Sequence, residues 1–361
     1  MLRSITLFIV GILAFSCSSV ESTDPDVFKV NDIKYSDDTD SLDFRVSIDP
    51  RKFTLAESEE LYNKMLDELP ATIGTLPNLV FLNLDGNRLT SLPENIGNLT
   101  KLINLTLVGN QLTVLPQSIG NLDSLKFLNL NSNQLTILPS SFSNLKKLEE
   151  LSIVWNQLSA LPDNIGKLNK LIILDVQGNQ ISELDESIGN LINLKTLNLA
   201  NNKLPVLPET IANLSKLVKL SAQQNQIMFL PDSIAKLDSL EELNLSRNKL
   251  TLLPDSICNL TKIKYLNLAY NQLTTLPDSL GRFENLEELN LDRNKLSELP
   301  RSITNLKNLK SLSLERNLLR TLPYGMVKLK SLETLNLKGN HLFDYDKEEL
   351  QRRLPDCKII W

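Results

Sequence analysis

Leu79-Val80-Phe81-Leu82-Asn83-Leu84-Asp85-Gly86-Asn87-Arg88-Leu89-Thr90-Ser91-Leu92-Pro93-Glu94-Asn95-Ile96-Gly97-Asn98-Leu99 is followed 23 residues later by the same frame, starting at Leu102 and reaching its own Pro116 and Ile119. Asparagine holds the register, at Asn87, Asn110, Asn133, Asn156, Asn179, Asn202, Asn225, Asn248, Asn271, Asn294, Asn317 and Asn340. Leu82 and Leu84 alternate with Phe81, Asn83 and Asp85, which predicts a short strand with its leucines inward. The recurrent Asn is expected to turn inward and satisfy backbone groups where the chain leaves that strand. Leu92-Pro93 then breaks regular hydrogen bonding, and Ile96, Leu99 and Leu102 fill the core from the other side. One copy buries too little apolar surface to fold alone, so the copies must stack in parallel into one core with closed ends.

The pattern is still intact in the tenth copy, at Leu286, Leu289, Leu291, Asn294, Leu296, Leu299, Pro300 and Ile303. It resembles the leucine-rich-repeat superfamily over about residues 66 to 361. The Leu-Pro-x-x-Ile-Gly-Asn-Leu half resembles leptospiral leucine-rich-repeat lipoproteins, and also the intracellular Ras-group repeats of plants and animals. The resemblance implies an α/β repeat fold: a right-handed horseshoe with a parallel sheet on its concave face, an irregular or 3-10 convex side, and helical caps at both ends.

Upstream, Arg3, the apolar run Ile5 to Phe15 and small residues before Cys17 read as a secretory signal. The run is too short to span a bilayer. Ala14-Phe15-Ser16-Cys17 resembles a lipobox, although Ala14 stands where Leu is usual and Phe15 is bulky for its place. Two readings follow: Cys17 carries the acyl chains of a lipoprotein, or an ordinary signal peptide is cleaved and Cys17 is incidental. The expected organisation is a signal peptide over 1–16, lipidated Cys17 with an acidic tether over 17–52, an amino-terminal cap and partial repeat over 53–78, repeats over 79–340 and a carboxy-terminal cap over 341–361. Within the tether, Leu42, Phe44, Val46 and Ile48 alternate with polar residues like a short strand. Its aspartates lack the ligand spacing and turn glycine of a calcium loop. Thr54 with Glu57 forms a capping box for a first helix, and Tyr345 to Arg353 is helix-prone. Leu354, Cys357 and Ile359 repeat the spacing of Leu332, Leu335 and Leu337, which would put Cys357 opposite Leu335. Cys258 and Cys357 are expected to be buried free thiols.

Of the 361 residues, 38 are basic and 43 acidic, a formal charge of −5, so no basic excess exists for nucleic acid. One histidine, His341, and three cysteines leave no material for a His-based triad or a metal cluster. No catalytic residue, metal or cofactor is expected. The sheet face should carry the binding residues, and two patches stand out. Phe81, Val108, Phe127, Val154, Trp155 and Ile173 form an apolar patch whose exposure has no folding rationale, with Trp155 as anchor. Arg247, Tyr265, Tyr270, Arg293 and Arg316 form a second, beside Glu242, Glu288, Asp292 and Glu315; Tyr, Trp and Arg are enriched in binding hot spots. These charges could equally pair with one another across strands. Asp185 in place of proline, the extra Pro205, and Ala222 in place of a core leucine mark either a re-curved zone or simple drift.

The expected protein is a non-catalytic, exported, lipid-anchored monomer of the outer membrane that binds a protein partner and touches the membrane through its lipid alone, and the resemblance to the leptospiral proteins implies that this partner is a host cell-surface or extracellular protein. A periplasmic envelope scaffold and an intracellular Ras-group-type scaffold are the alternatives.

Overall fold

The computed structural model describes residues 40–44 and 65–361. The signal peptide, Cys17, most of the tether, and the first helix expected at Thr54 to Leu61 lie outside the described residues.

Among the described residues, fourteen three-residue strands form one parallel sheet in strict chain order. They are β1 (Ser41–Asp43), β2 (Phe81–Asn83), β3 (Asn104–Thr106), β4 (Phe127–Asn129), β5 (Glu150–Ser152), β6 (Ile173–Asp175), β7 (Thr196–Asn198), β8 (Lys219–Ser221), β9 (Glu242–Asn244), β10 (Tyr265–Asn267), β11 (Glu288–Asn290), β12 (Ser311–Ser313), β13 (Thr334–Asn336) and β14 (Lys358–Ile360). From β2 to β13 each central leucine pairs with the one 23 residues on, as Leu82 does with Leu105. A 3-10 turn returns the chain in each copy. Proline opens most of these turns in extended backbone, as Pro93 does at φ −69°, because its ring fixes φ and its missing N–H would have no partner there. Ile96, Leu99 and Leu102 are buried, as are their counterparts in every copy, and the buried leucines form one continuous core from Leu66 to Cys357.

The ends depart from the frame. β1 falls inside the stretch expected as tether, at its alternating Leu42 and Phe44, and Leu42 pairs with Leu82 across a gap in sequence far longer than one repeat. Both side chains are partly buried against the core. At the other end, helix α1 (Asp344–Arg353) begins one residue before the expected Tyr345 and contributes Leu350 to the core. β14 then pairs so that Ile359, not Cys357, lies opposite Leu335. The spacing misled because helix α1 replaces the 3-10 return of the other copies and sets the strand offset at 24 residues. Cys357 makes to the Leu354 carbonyl the bond that Leu332 makes to Leu329, and it lies buried just ahead of the strand.

The irregular copies keep the frame. Asp185 takes the proline's place at the start of its 3-10 turn and accepts a hydrogen bond from Ser187 N at 2.8 Å; the Ser187 side chain first, and then this N–H, hold its carboxyl below the usual range. Ala222 is fully buried in a leucine's place. Pro205 accepts from Met228 N. Strand and turn persist through all three.

Candidate interaction surface

The twelve recurrent asparagines set the edge of the sheet. Each accepts at Oδ1 a backbone N–H from 21 residues earlier, as Asn110 does from Leu89 at 3.1 Å and Asn340 from Leu319 at 3.1 Å. Nδ2 donates back to the preceding copy, for Asn110 to the Leu84 carbonyl at 2.8 Å, and to its own copy at Leu107. Asn87 has no complete copy before it, and its Nδ2 reaches the Phe44 carbonyl at 3.0 Å. β1 therefore stands in for the missing strand. These bonds satisfy buried backbone groups that would otherwise be costly.

A second set of bonds runs along the face. Seven strands end in Asn, and its Oδ1 accepts the N–H two residues on, as in Asn83 to Asp85 and Asn267 to Ala269. Asp175 does the same for Gln177. Four strands end in Ser or Thr, which cannot reach that far, and in three of them, at Thr106, Ser152 and Ser313, a neighbouring residue answers. There the preceding copy supplies the acceptor: Asp85, Asn131 and Asp292 each take the hydroxyl and the waiting N–H of Val108, Val154 and Glu315 on one oxygen. Each exchange ties two copies together on the open face.

The residue before each ladder asparagine has a left-handed backbone. Glycine occupies it at Gly86, Gly109, Gly178 and Gly339, and larger residues occupy it at Ser132, Trp155, Asn201, Gln224, Arg247, Tyr270, Arg293 and Arg316, with φ between 52° and 59°. This conformation is unfavourable for a bulky side chain by roughly 1 to 2 kcal/mol. Sequence reasoning placed these residues on the face but missed the constraint; glycine in four copies was the available signal.

In the apolar patch, Trp155 is 54% exposed, whereas Phe81, Val108, Phe127, Val154 and Ile173 are half-buried rather than open. Strands about 4.8 Å apart let neighbouring side chains cover one another, and the register alternates Phe81, Phe127 and Ile173 with Asn104 and Glu150, so the patch is a mixed surface with one protruding indole. In the second patch Tyr265 and Tyr270 are 39% and 40% exposed. Some of its charges do pair: Glu242 with Lys219 of the neighbouring strand at 2.7 Å, and Glu315 with Arg316 at 3.5 Å. Arg247 and Arg293 instead lie over the Tyr270 ring, at 4.3 and 4.9 Å from its centroid. Burial pushes the carboxyls of Asp175 and Asp292 up, against the hydrogen bonds each accepts. It also pushes up the thiols of Cys258 and Cys357, which disfavours the reactive thiolate.

Sequence reasoning also missed a row off the sheet face. Val114, Ile137, Phe229 and Leu252, each just before the core leucine of a Leu-Pro pair, are about half exposed, as is Met228. Among the described residues no group of three or more His, Cys, Asp or Glu could hold a metal ion, and no helix is long and apolar enough to cross a membrane.

A sheet of stacked identical copies, held by an asparagine ladder and presenting a varied face, defines a leucine-rich-repeat solenoid. A model of the leucine-rich repeat region matches residues 60–155, 162–252 and 251–351, and the chain belongs to this family. No curated protein sequence matches it. Among solved structures it is similar to a leucine-rich-repeat protein of Leptospira interrogans, with 39% identity and a TM-score of 0.79 over 84% of this chain and 80% of that one. It is also similar to an internalin of Listeria monocytogenes, at 28% identity and a TM-score of 0.69 over 80% and 82% of the two chains. A plant peptide hormone receptor, RGFR1 in complex with RGF2, gives 30% identity and a TM-score of 0.62 over 76% of this chain and 50% of that one. The fold and these neighbours define a protein-interaction module.

Proposed function

We propose that the chain is a non-catalytic, exported lipoprotein that is anchored through Cys17 and binds a host protein on its concave sheet face. The observation that carries the binding surface is Trp155: a large indole, half exposed, held in a backbone conformation that disfavours it on the face that also carries Phe127 and Ile173. Side chains kept at such a cost cluster at functional sites, and an exposed aromatic rimmed by polar residues suits a protein partner. Similarity to a leptospiral protein and to an internalin, together with the signal-like start and Cys17, supports export to a bacterial surface. Two or three acyl chains would hold the protein stably at a membrane, whereas one would not.

Protease shaving of intact producing cells, with lipid labelling and intact mass of the mature protein, tests this. The expected result is loss of a protein whose first residue is a lipid-modified Cys17. A lipidated but protected protein would point to a periplasmic scaffold. An unprocessed chain would overturn export and favour an intracellular scaffold.

A further inference from the structure

The second patch holds two arginines that, among the described residues, form no ion pair, although Asp292 lies near enough to Arg293 to feel its charge. Arg247, Tyr270 and Arg293 are consecutive members of the left-handed column in copies eight to ten, and both guanidinium groups stack on the one ring from the copies on either side. Lying over the ring holds the two guanidinium groups near it but takes up none of their N–H donors. Among the described residues neither arginine has a carboxylate within ion-pair distance, and the acids nearby are committed. Glu242 is held by Lys219 and Glu315 by Arg316. Asp292 accepts from Ser313 and Glu315 N at 2.6 Å each. Glu288, which opens β11, forms no ion pair with either arginine.

We propose that Arg247, Tyr270 and Arg293 form an anion clamp that receives the carboxylate side chains of an extended acidic segment in the protein partner. The clamp rests on the sheet face being the binding surface. Two guanidinium forks held at one ring can match carboxylates bidentately, and the ring between them spaces two charges that would otherwise repel. A protein segment suits the site better than a sulfated polysaccharide. A polyanion needs a long run of unneutralised cations, and this chain carries a formal charge of −5 with exposed Tyr265 beside the clamp, a surface for isolated carboxylates on a partly apolar chain.

The test is selection of binders to the mature full-length protein from an unbiased random-peptide library, followed by fluorescence anisotropy on the synthesised peptides. They are expected to be enriched in Asp and Glu and to lose at least about tenfold in affinity on R247Q/R293Q, and similarly when their own Glu residues become Gln. Binding should survive Tyr270→Phe, weaken on Tyr270→Ala, and stay within about twofold on R320Q, which removes an exposed arginine off the patch. Peptides without acidic enrichment, or bound equally by R247Q/R293Q, would overturn the clamp. If such peptides still fail on the Trp155→Ala, Phe127→Ala variant, the sheet-face reading survives without the clamp; insensitivity to both variants removes both. A heparin fragment that binds more tightly than any peptide and is lost on R247Q/R293Q would replace the protein carboxylate with a polyanion and overturn the proposal.

Discussion

The indole of Trp155 rests on Gly178, the equivalent residue of the next copy: a methyl group added there would sit 2.4 Å from Cε3. The anchor of the apolar patch therefore depends on an empty side-chain position 23 residues away. Gly178 also has φ +70°, a conformation in which any other side chain is strained. Gly178→Ala is expected to destabilise by about 1 to 2 kcal/mol and to displace the indole. Thermal unfolding and a red shift in tryptophan emission check it. An unmoved spectrum would show that the contact is not needed to hold the ring.

The asparagine ladder predicts a large and position-dependent cost. Asn202 takes the Ile181 N–H at 2.9 Å and donates to the Val176 and Leu199 carbonyls at 3.0 and 3.1 Å, all in buried surroundings. Asn202→Ala leaves these groups unsatisfied and is expected to cost roughly 2 to 4 kcal/mol. Asn340 makes similar bonds but is only part-buried, so Asn340→Ala should cost less than half as much, because water reaches the freed groups. Urea denaturation of the two variants gives the comparison; equal costs would contradict it.

The shared acceptors on the open face predict non-additivity. Asn131 Oδ1 takes both the Ser152 hydroxyl at 2.8 Å and Val154 N at 2.6 Å. Asn131→Ala and Ser152→Ala together should cost less than the sum of the singles, with a coupling of about 0.5 to 1 kcal/mol. Simple additivity in a double-mutant cycle would show that the two copies are not tied at this point.

Asp175 predicts a pH signature. Its carboxyl is pushed up by burial, the dominant cause, despite hydrogen bonds from Gln177 N and Asn198. Folding therefore favours the protonated form: Asp175 supports stability most below the ordinary carboxylate range, and that support is lost as pH rises through the elevated folded value. Asp175→Asn keeps an acceptor for Gln177 N, as Asn does in seven other copies, and removes the buried charge. Its melting temperature should exceed wild type at pH 7, and the advantage should shrink toward pH 3. A constant difference across that range would contradict this.

The repeat was legible because every copy solves the same packing problem with the same residues, so Leu82, Leu84, Asn87, Pro93 and Ile96 recur at one period. The binding face was legible in outline, since strand alternation assigns Phe127 and Trp155 to the open side. What escaped depends on neighbours rather than on the copy itself. The half-burial of Phe81 and Ile173 comes from side chains on adjacent strands. The left-handed column shows glycine in only four copies, and elsewhere residues such as Arg247 and Trp155 conceal it. The slip of β14 at Cys357 arises because a helix replaces the 3-10 return of the other copies.

The central claim is that the sheet face, through Trp155 and the surface around Phe127, is where a protein partner binds. Its most direct measurement is the affinity of the partner recovered from a panel of host extracellular and cell-surface proteins for three forms of the chain: wild type, Trp155→Ala with Phe127→Ala, and Ile137→Ser with Leu252→Ser off the sheet face. Loss of about 2 kcal/mol or more, some thirtyfold in Kd, on the first variant with little change on the second is the predicted result. Unchanged affinity on the first variant, or a larger loss on the second, would place the interaction surface elsewhere.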